Sequence, residues 1–203
     1  MNARDVVEII AELFSLYNFT IEFWGGGCEY NQHSRTVFVT NVQGVNTFQA
    51  MGLAHEIMHH KQNTEGRIPH DGMGLLDYKY AQLLMNADKR NEWRVREFPF
   101  EMEAIAFSLL FADRMLKLLD DCDMLSEDIN YFKREARSIL KIKKPDPSHV
   151  ERVKAIQNEE ARLYKYFEKE YADKLDELIK RRVMNRGPNK IEISSAKVKA
   201  KRA

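Results

Sequence analysis

Apolar positions along this chain recur mainly at helical spacing, with two short exceptions near its start. Val6, Ile9, Ile10, Leu13 and Leu16 lie three or four residues apart and predict an amphipathic helix over residues 3–17. Residues 19–24 and 36–40 are short β-prone runs, alternating or wholly apolar, and predict two strands. Gly25-Gly26-Gly27 and the polar stretch through Asn31-Gln32-His33-Ser34 predict a loop between them. A helix is then expected from Asn46 or Thr47 to about Gln62. A loop over 63–74 follows, punctuated by Gly66, Pro69, Gly72 and Gly74.

Downstream the pattern is helical almost throughout. Residues 75–89 predict one helix, and a charged bridge leads to Pro99, which suits the first turn of the next. That helix carries Phe107, Leu110 and Leu116, and another is expected over 126–142. Lys143-Lys144-Pro145-Asp146-Pro147 is a break, with Asp146 as N-cap and Pro147 at the first helical position. Val153, Ile156, Leu163, Phe167, Tyr171, Leu175 and Leu178 then keep spacings of three, four or seven, predicting one long helix to about Met184. The last stretch, 186–203, has Gly187-Pro188 and scattered lysines and is expected to be a disordered basic tail. The expected organisation is a unit over 1–120, a helical extension over 121–185 and that tail.

Composition narrows the class. The 203 residues are 44% hydrophobic and 31% charged, enough for a core inside a well-solvated exterior. A formal net charge of +1 gives no global pull toward nucleic acid, a membrane or acidic substrates. Cys28 and Cys122 are far apart, in no metal-binding pair, and read as reduced thiols. No signal-peptide pattern opens the sequence, and the longest apolar run, 104–112, is broken by Ser108 and too short for a bilayer. The expected setting is therefore cytoplasmic, with no membrane partner.

The chemistry is concentrated in Leu53-Ala54-His55-Glu56-Ile57-Met58-His59-His60. On a helix, residues four apart stand on one face, so His55 and His59 can converge on one metal ion. Glu56 projects beside them, where a carboxylate can take a proton from metal-bound water. A catalytic zinc has three protein ligands and an open position, so a third donor is expected downstream. Phe100-Glu101-Met102-Glu103-Ala104-Ile105-Ala106-Phe107 offers two acids at the start of an apolar helix. Ala104, Phe107, Leu110 and Phe111 form the expected buried face; Glu103 borders it one turn before Phe107, whereas Glu101 is rotated away. Glu103 is thus the preferred third ligand and Glu101 the alternative, ahead of His60, His70, Asp71 and Asp77. The plain alternative is that both acids merely favour the helix N-terminus.

The pattern L-A-H-E-x-x-H, preceded by strands and followed by Glu101-x-Glu103-Ala104-x-x-Phe107, resembles the ImmA/IrrE family of zinc peptidases. The resemblance covers residues 37–117. It implies a compact gluzincin-like fold of helices packed on a small sheet, with zinc held by His55, His59 and Glu103 and with Glu56 as general base. Ser108 stands where that family prefers Ala, no L-M-P follows in that helix, and the segment between the motifs is long. The expected fold class is α+β, mostly helical, with a small antiparallel sheet on the H-E-x-x-H helix and a C-terminal helical extension.

The implied activity is zinc-dependent hydrolysis of a peptide bond in a protein or peptide substrate. Tyr78, Tyr80, His60 and His70 are the candidate donors for an oxyanion. The strand over 36–40 is either an edge that pairs with extended substrate or a plain core strand. Gly25-Gly26-Gly27 lacks the Lys-Ser/Thr ending of a phosphate cradle, and Cys28 beside it is a plain thiol or an inhibitory ligand. The alternative function is a metal-binding scaffold without catalysis, holding a protein or nucleic-acid partner through its C-terminal helix and basic tail. A third reading is a helical structural protein in which the histidines bind nothing.

Overall fold

The computed structural model describes residues 3–24, 28–40, 47–120 and 147–184. Helix α1 (Ala3–Phe14) leads to strands β1 (Thr20–Trp24), β2 (Glu29–Asn31) and β3 (Thr36–Thr40). Helices α2 (Thr47–Thr64), α3 (Gly72–Ala87), the short α4 (Glu92–Arg96), α5 (Pro99–Asp120) and α6 (Val150–Met184) follow. The fold is α+β and mostly helical, with one small sheet. The glycine triplet, the helix predicted over 126–142, the 186–203 tail and Cys122 lie outside the described residues. Among those described, no helix is long and apolar enough to cross a membrane.

The sheet departs from expectation in a way that matters for the site. Its order is β1-β3-β2, with β2 antiparallel to β3 but β1 parallel to it, so the sheet is mixed and not antiparallel. The cause is a third strand inside the predicted loop. Asn31 Oδ1 accepts from the amides of His33 and Ser34 at 3.0 and 3.1 Å, and Arg35 takes a positive φ of 51°. That tight turn folds Glu29–Asn31 back along β3 and occupies the position the first predicted strand was expected to fill. β1 is left on the far side, running the same way as β3. The strand over 36–40 is therefore central, not an edge, and the strand bordering the cleft is β2.

Side chains of α1, β3, α2, α5 and α6 share one core. Leu53, Ala54, Ile57 and Met58 are fully buried on α2, and Phe107 on α5 stacks between Phe14 of α1 and Phe167 of α6, at 4.9 and 5.5 Å. α6 sends Phe167, Leu175, Leu178 and Ile179 into that same core. At its start Pro147 opens a 3-10 turn (Pro147–His149) before the α-helix, and not the first α-turn itself.

Two features fix the ends of the helices that carry the site. α5 begins at Pro99, and the amides of Glu101 and Met102 bond to the Phe98 carbonyl. α2 ends at a Schellman turn: Arg67 N–H reaches the Gln62 carbonyl at 2.8 Å, Gly66 N–H reaches that of Asn63 at 3.1 Å, and Gly66 has φ +69°. Gly66 is the residue that tolerates this left-handed step, and the turn swings Arg67 back toward α5.

Candidate metal centre

On α2 the four-residue spacing brings the imidazoles together as expected, with His55 Nε2 and His59 Nε2 3.0 Å apart. The carboxylate that meets them is Glu101, its Oε2 3.3 Å from His55 Nε2 and its Oε1 3.5 Å from His59 Nε2. These three donors form the one His/Cys/Asp/Glu cluster among the described residues that could hold a metal ion. Zinc bonds of about 2.0–2.1 Å in a tetrahedron place neighbouring donor atoms about 3.3 Å apart. The His55–His59 separation of 3.0 Å and the 3.3 Å from His55 to Glu101 Oε2 lie close to that value, and two imidazoles with one carboxylate are a donor set suited to zinc, so the residues fit the ion.

Glu103, the preferred third ligand, is not brought to this cluster; the alternative, Glu101, is. Its carboxylate binds Arg67 and the amide of Gln62. The preference assumed a single buried face centred on Phe107, but α5 is buried on two sides. Phe107 points to α1 and α6, while Glu101, about 120° around the axis, points to α2.

The electrostatics follow from burial. Glu101 is only 5% exposed. Burial alone would raise its carboxyl, but His59, His55 and the Tyr78 hydroxyl hold it down to about 2, so it is an anion ready to bind a cation. Glu56 behaves oppositely. Burial lifts it to about 7, against the nearby His59 and with help from the charge of Glu101, while the backbone N–H of Tyr30 on β2 donates to it. A carboxyl poised there can both accept and return a proton near neutral pH.

The cluster opens into a cleft of about 310 Å³, walled by β2 on one side and α3 on the other. Tyr78 of α3 donates its hydroxyl to Glu101, and its ring is set by edge contacts with Phe98 and Phe100 at 5.2 and 5.0 Å. Burial and the charge of Glu101 push that hydroxyl far above its ordinary value, so it remains a donor. Of the other candidates, His60 is fully buried, about 100° around α2 from His59 and outside the cleft lining. It bonds the Tyr30 hydroxyl at 3.0 Å and stacks on Phe19 at 4.8 Å. Its burial keeps it below its ordinary pKa. His70, Asp71, Asp77 and Tyr80 are exposed and outside the cleft lining. Cys28 packs against α2 at Gly52, outside the candidate cluster.

Sequence reasoning missed Gln62 and the edge strand. Gln62 is fully buried and bonds His59 Nδ1 at 2.9 Å. The signal available was a glutamine three residues after a histidine of the H-E-x-x-H pattern, one helical turn away on the same side. Compared with known protein families, curated proteins and solved structures, the chain has no match.

Proposed function

We propose that this protein is a zinc-dependent peptidase whose metal is held by His55, His59 and Glu101. The observation that carries the reading is the convergence of that triad, with Glu56 beside it, at the floor of an open cleft. When bound, zinc supplies a Lewis acid that polarises a carbonyl and acidifies water. The chain's own residues do the rest. Glu56 is placed to accept the proton of the attacking water and to return it to the leaving amine. Tyr78, the one oxyanion candidate that lines the cleft, stands on the α3 wall, and its single hydroxyl proton would have to turn from Glu101 to serve a developing oxyanion. Glu56 is held by a backbone amide of β2, so the edge strand that borders the cleft also fixes the base. The L-A-H-E-x-x-H likeness to ImmA/IrrE peptidases supports the same reading, with the third ligand moved two residues earlier, to Glu101.

The test is purified Glu56→Gln protein. It should bind zinc as the unaltered chain does and lose hydrolysis of a denatured protein substrate by orders of magnitude. Cleavage at the unaltered rate would remove Glu56 from the mechanism, and cleavage undiminished by chelation would remove the metal.

A further inference from the structure

Behind the triad runs a chain of polar groups that the ligand set does not use, buried at Gln62 and open to solvent at Arg67. Gln62 sends its amide nitrogen to two partners, the Phe100 carbonyl and Glu103 Oε2, each at 2.8 Å. Both only accept hydrogen bonds: one is a carbonyl, and the other is a carboxylate engaged by Arg67. The amide therefore cannot be turned over, and Gln62 Oε1 must face His59 Nδ1, 2.9 Å away. An oxygen there can only accept, so the proton of His59 sits on Nδ1 and its Nε2 presents a bare lone pair to the centre.

The outer end of the chain is also fixed. Arg67 grips Glu103 through both terminal nitrogens, Nη2 at 3.3 Å from Oε1, and it is delivered there by the Schellman turn at Gly66. We infer that Gln62, oriented by Glu103 and Arg67, is a positioning residue that locks His59 in its metal-binding tautomer and thereby sets metal affinity. Glu103, the residue its sequence context marks as a ligand, acts through Gln62. This rests on reading the triad as a zinc centre, but the tautomer it assigns belongs to the metal-free chain as well.

Two measurements on the full chain test it. In competition with a chromophoric chelator for Zn²⁺, Gln62→Leu should bind about 10–100-fold more weakly than the unaltered protein. The double exchange Gln62→Glu with Glu103→Gln restores an acceptor facing His59 and a donor at position 103, though not the bond to the Phe100 carbonyl, and should recover part of that loss. Long-range ¹H–¹⁵N correlation spectra of the metal-free protein should show His59 protonated at Nδ1, and that signature should fade in Gln62→Leu and return in the double exchange. Zinc affinity within twofold of the unaltered chain in Gln62→Leu, or a proton on Nε2 of His59 in the unaltered protein, overturns the inference. If Gln62→Leu fails to fold, the double exchange decides: failure to keep the Nδ1 proton overturns it equally. An unaltered protein that binds no zinc sinks the metal centre instead, while the tautomer measurement still judges the chain behind it.

Discussion

Arg96 on α4 and Glu160 on α6 form a buried ion pair whose removal has a worked consequence. Their side chains are 4% and 5% exposed, and the guanidinium meets the carboxylate through two nitrogens, Nε at 2.9 Å from Oε1. Burial pushes the Glu160 carboxyl up in spite of Arg96, so desolvation outweighs attraction here. Arg96→Met leaves a buried carboxylate with Glu92 as its charged neighbour, and breaking such a pair is worth about 3–5 kcal/mol. At this chain length that is a fall in Tm of about 6–20 °C. Arg96→Met/Glu160→Leu removes both charges and should return to near the unaltered stability or exceed it. The pH dependence has a definite sign. A carboxyl whose pKa is raised by folding binds its proton more tightly in the folded state. Its stabilising effect is complete below the unfolded pKa and disappears as pH rises through the folded value. Arg96→Met should therefore be least damaging in acid and increasingly damaging toward neutrality. Calorimetry of the two variants at pH 5 and 7.5 is the assay. A single variant within about 1 kcal/mol of the unaltered protein, or a double variant no better than the single, would refute the reasoning.

Gly66→Ala should destabilise by about 1 kcal/mol, because an added Cβ meets nothing within 4 Å and only the left-handed backbone resists it; urea unfolding measures this. Tyr78→Phe should leave zinc stoichiometry intact and lower kcat about 10²–10³-fold, read by steady-state cleavage of a peptide substrate. Tyr30→Phe removes the hydroxyl that bonds buried His60 and Asn63, and should lower stability by about 1–3 kcal/mol in urea unfolding.

Much of the helical frame was legible because amphipathic spacing survives in α1 and α6 without tertiary context. The pairing of His55 with His59 was legible for the same reason: a four-residue step is a geometric fact of any helix. Glu101 was legible only as the alternative to Glu103, since a one-face rule ranks acids poorly on a helix buried between α2 and α6, where the apolar residues 104–112 run all the way round. β2 was hidden because its pairing is set by an Asx-type turn at Asn31, and Glu29–Asn31 is too short and polar to read as a strand. Gln62 escaped because a polar side chain in the last turn of a helix reads as exposed until α5 covers it.

The proposed centre gives the two acids at the start of α5 distinct roles, one at the metal and one behind it, and elemental analysis separates them most directly. Metal content per chain should be measured after saturation with zinc and gel filtration, for the unaltered protein, Glu101→Gln and Glu103→Gln. About one zinc per chain is expected in the unaltered protein and in Glu103→Gln, and little in Glu101→Gln. Full zinc content in Glu101→Gln, with loss in Glu103→Gln, would contradict the assignment of the centre to His55, His59 and Glu101.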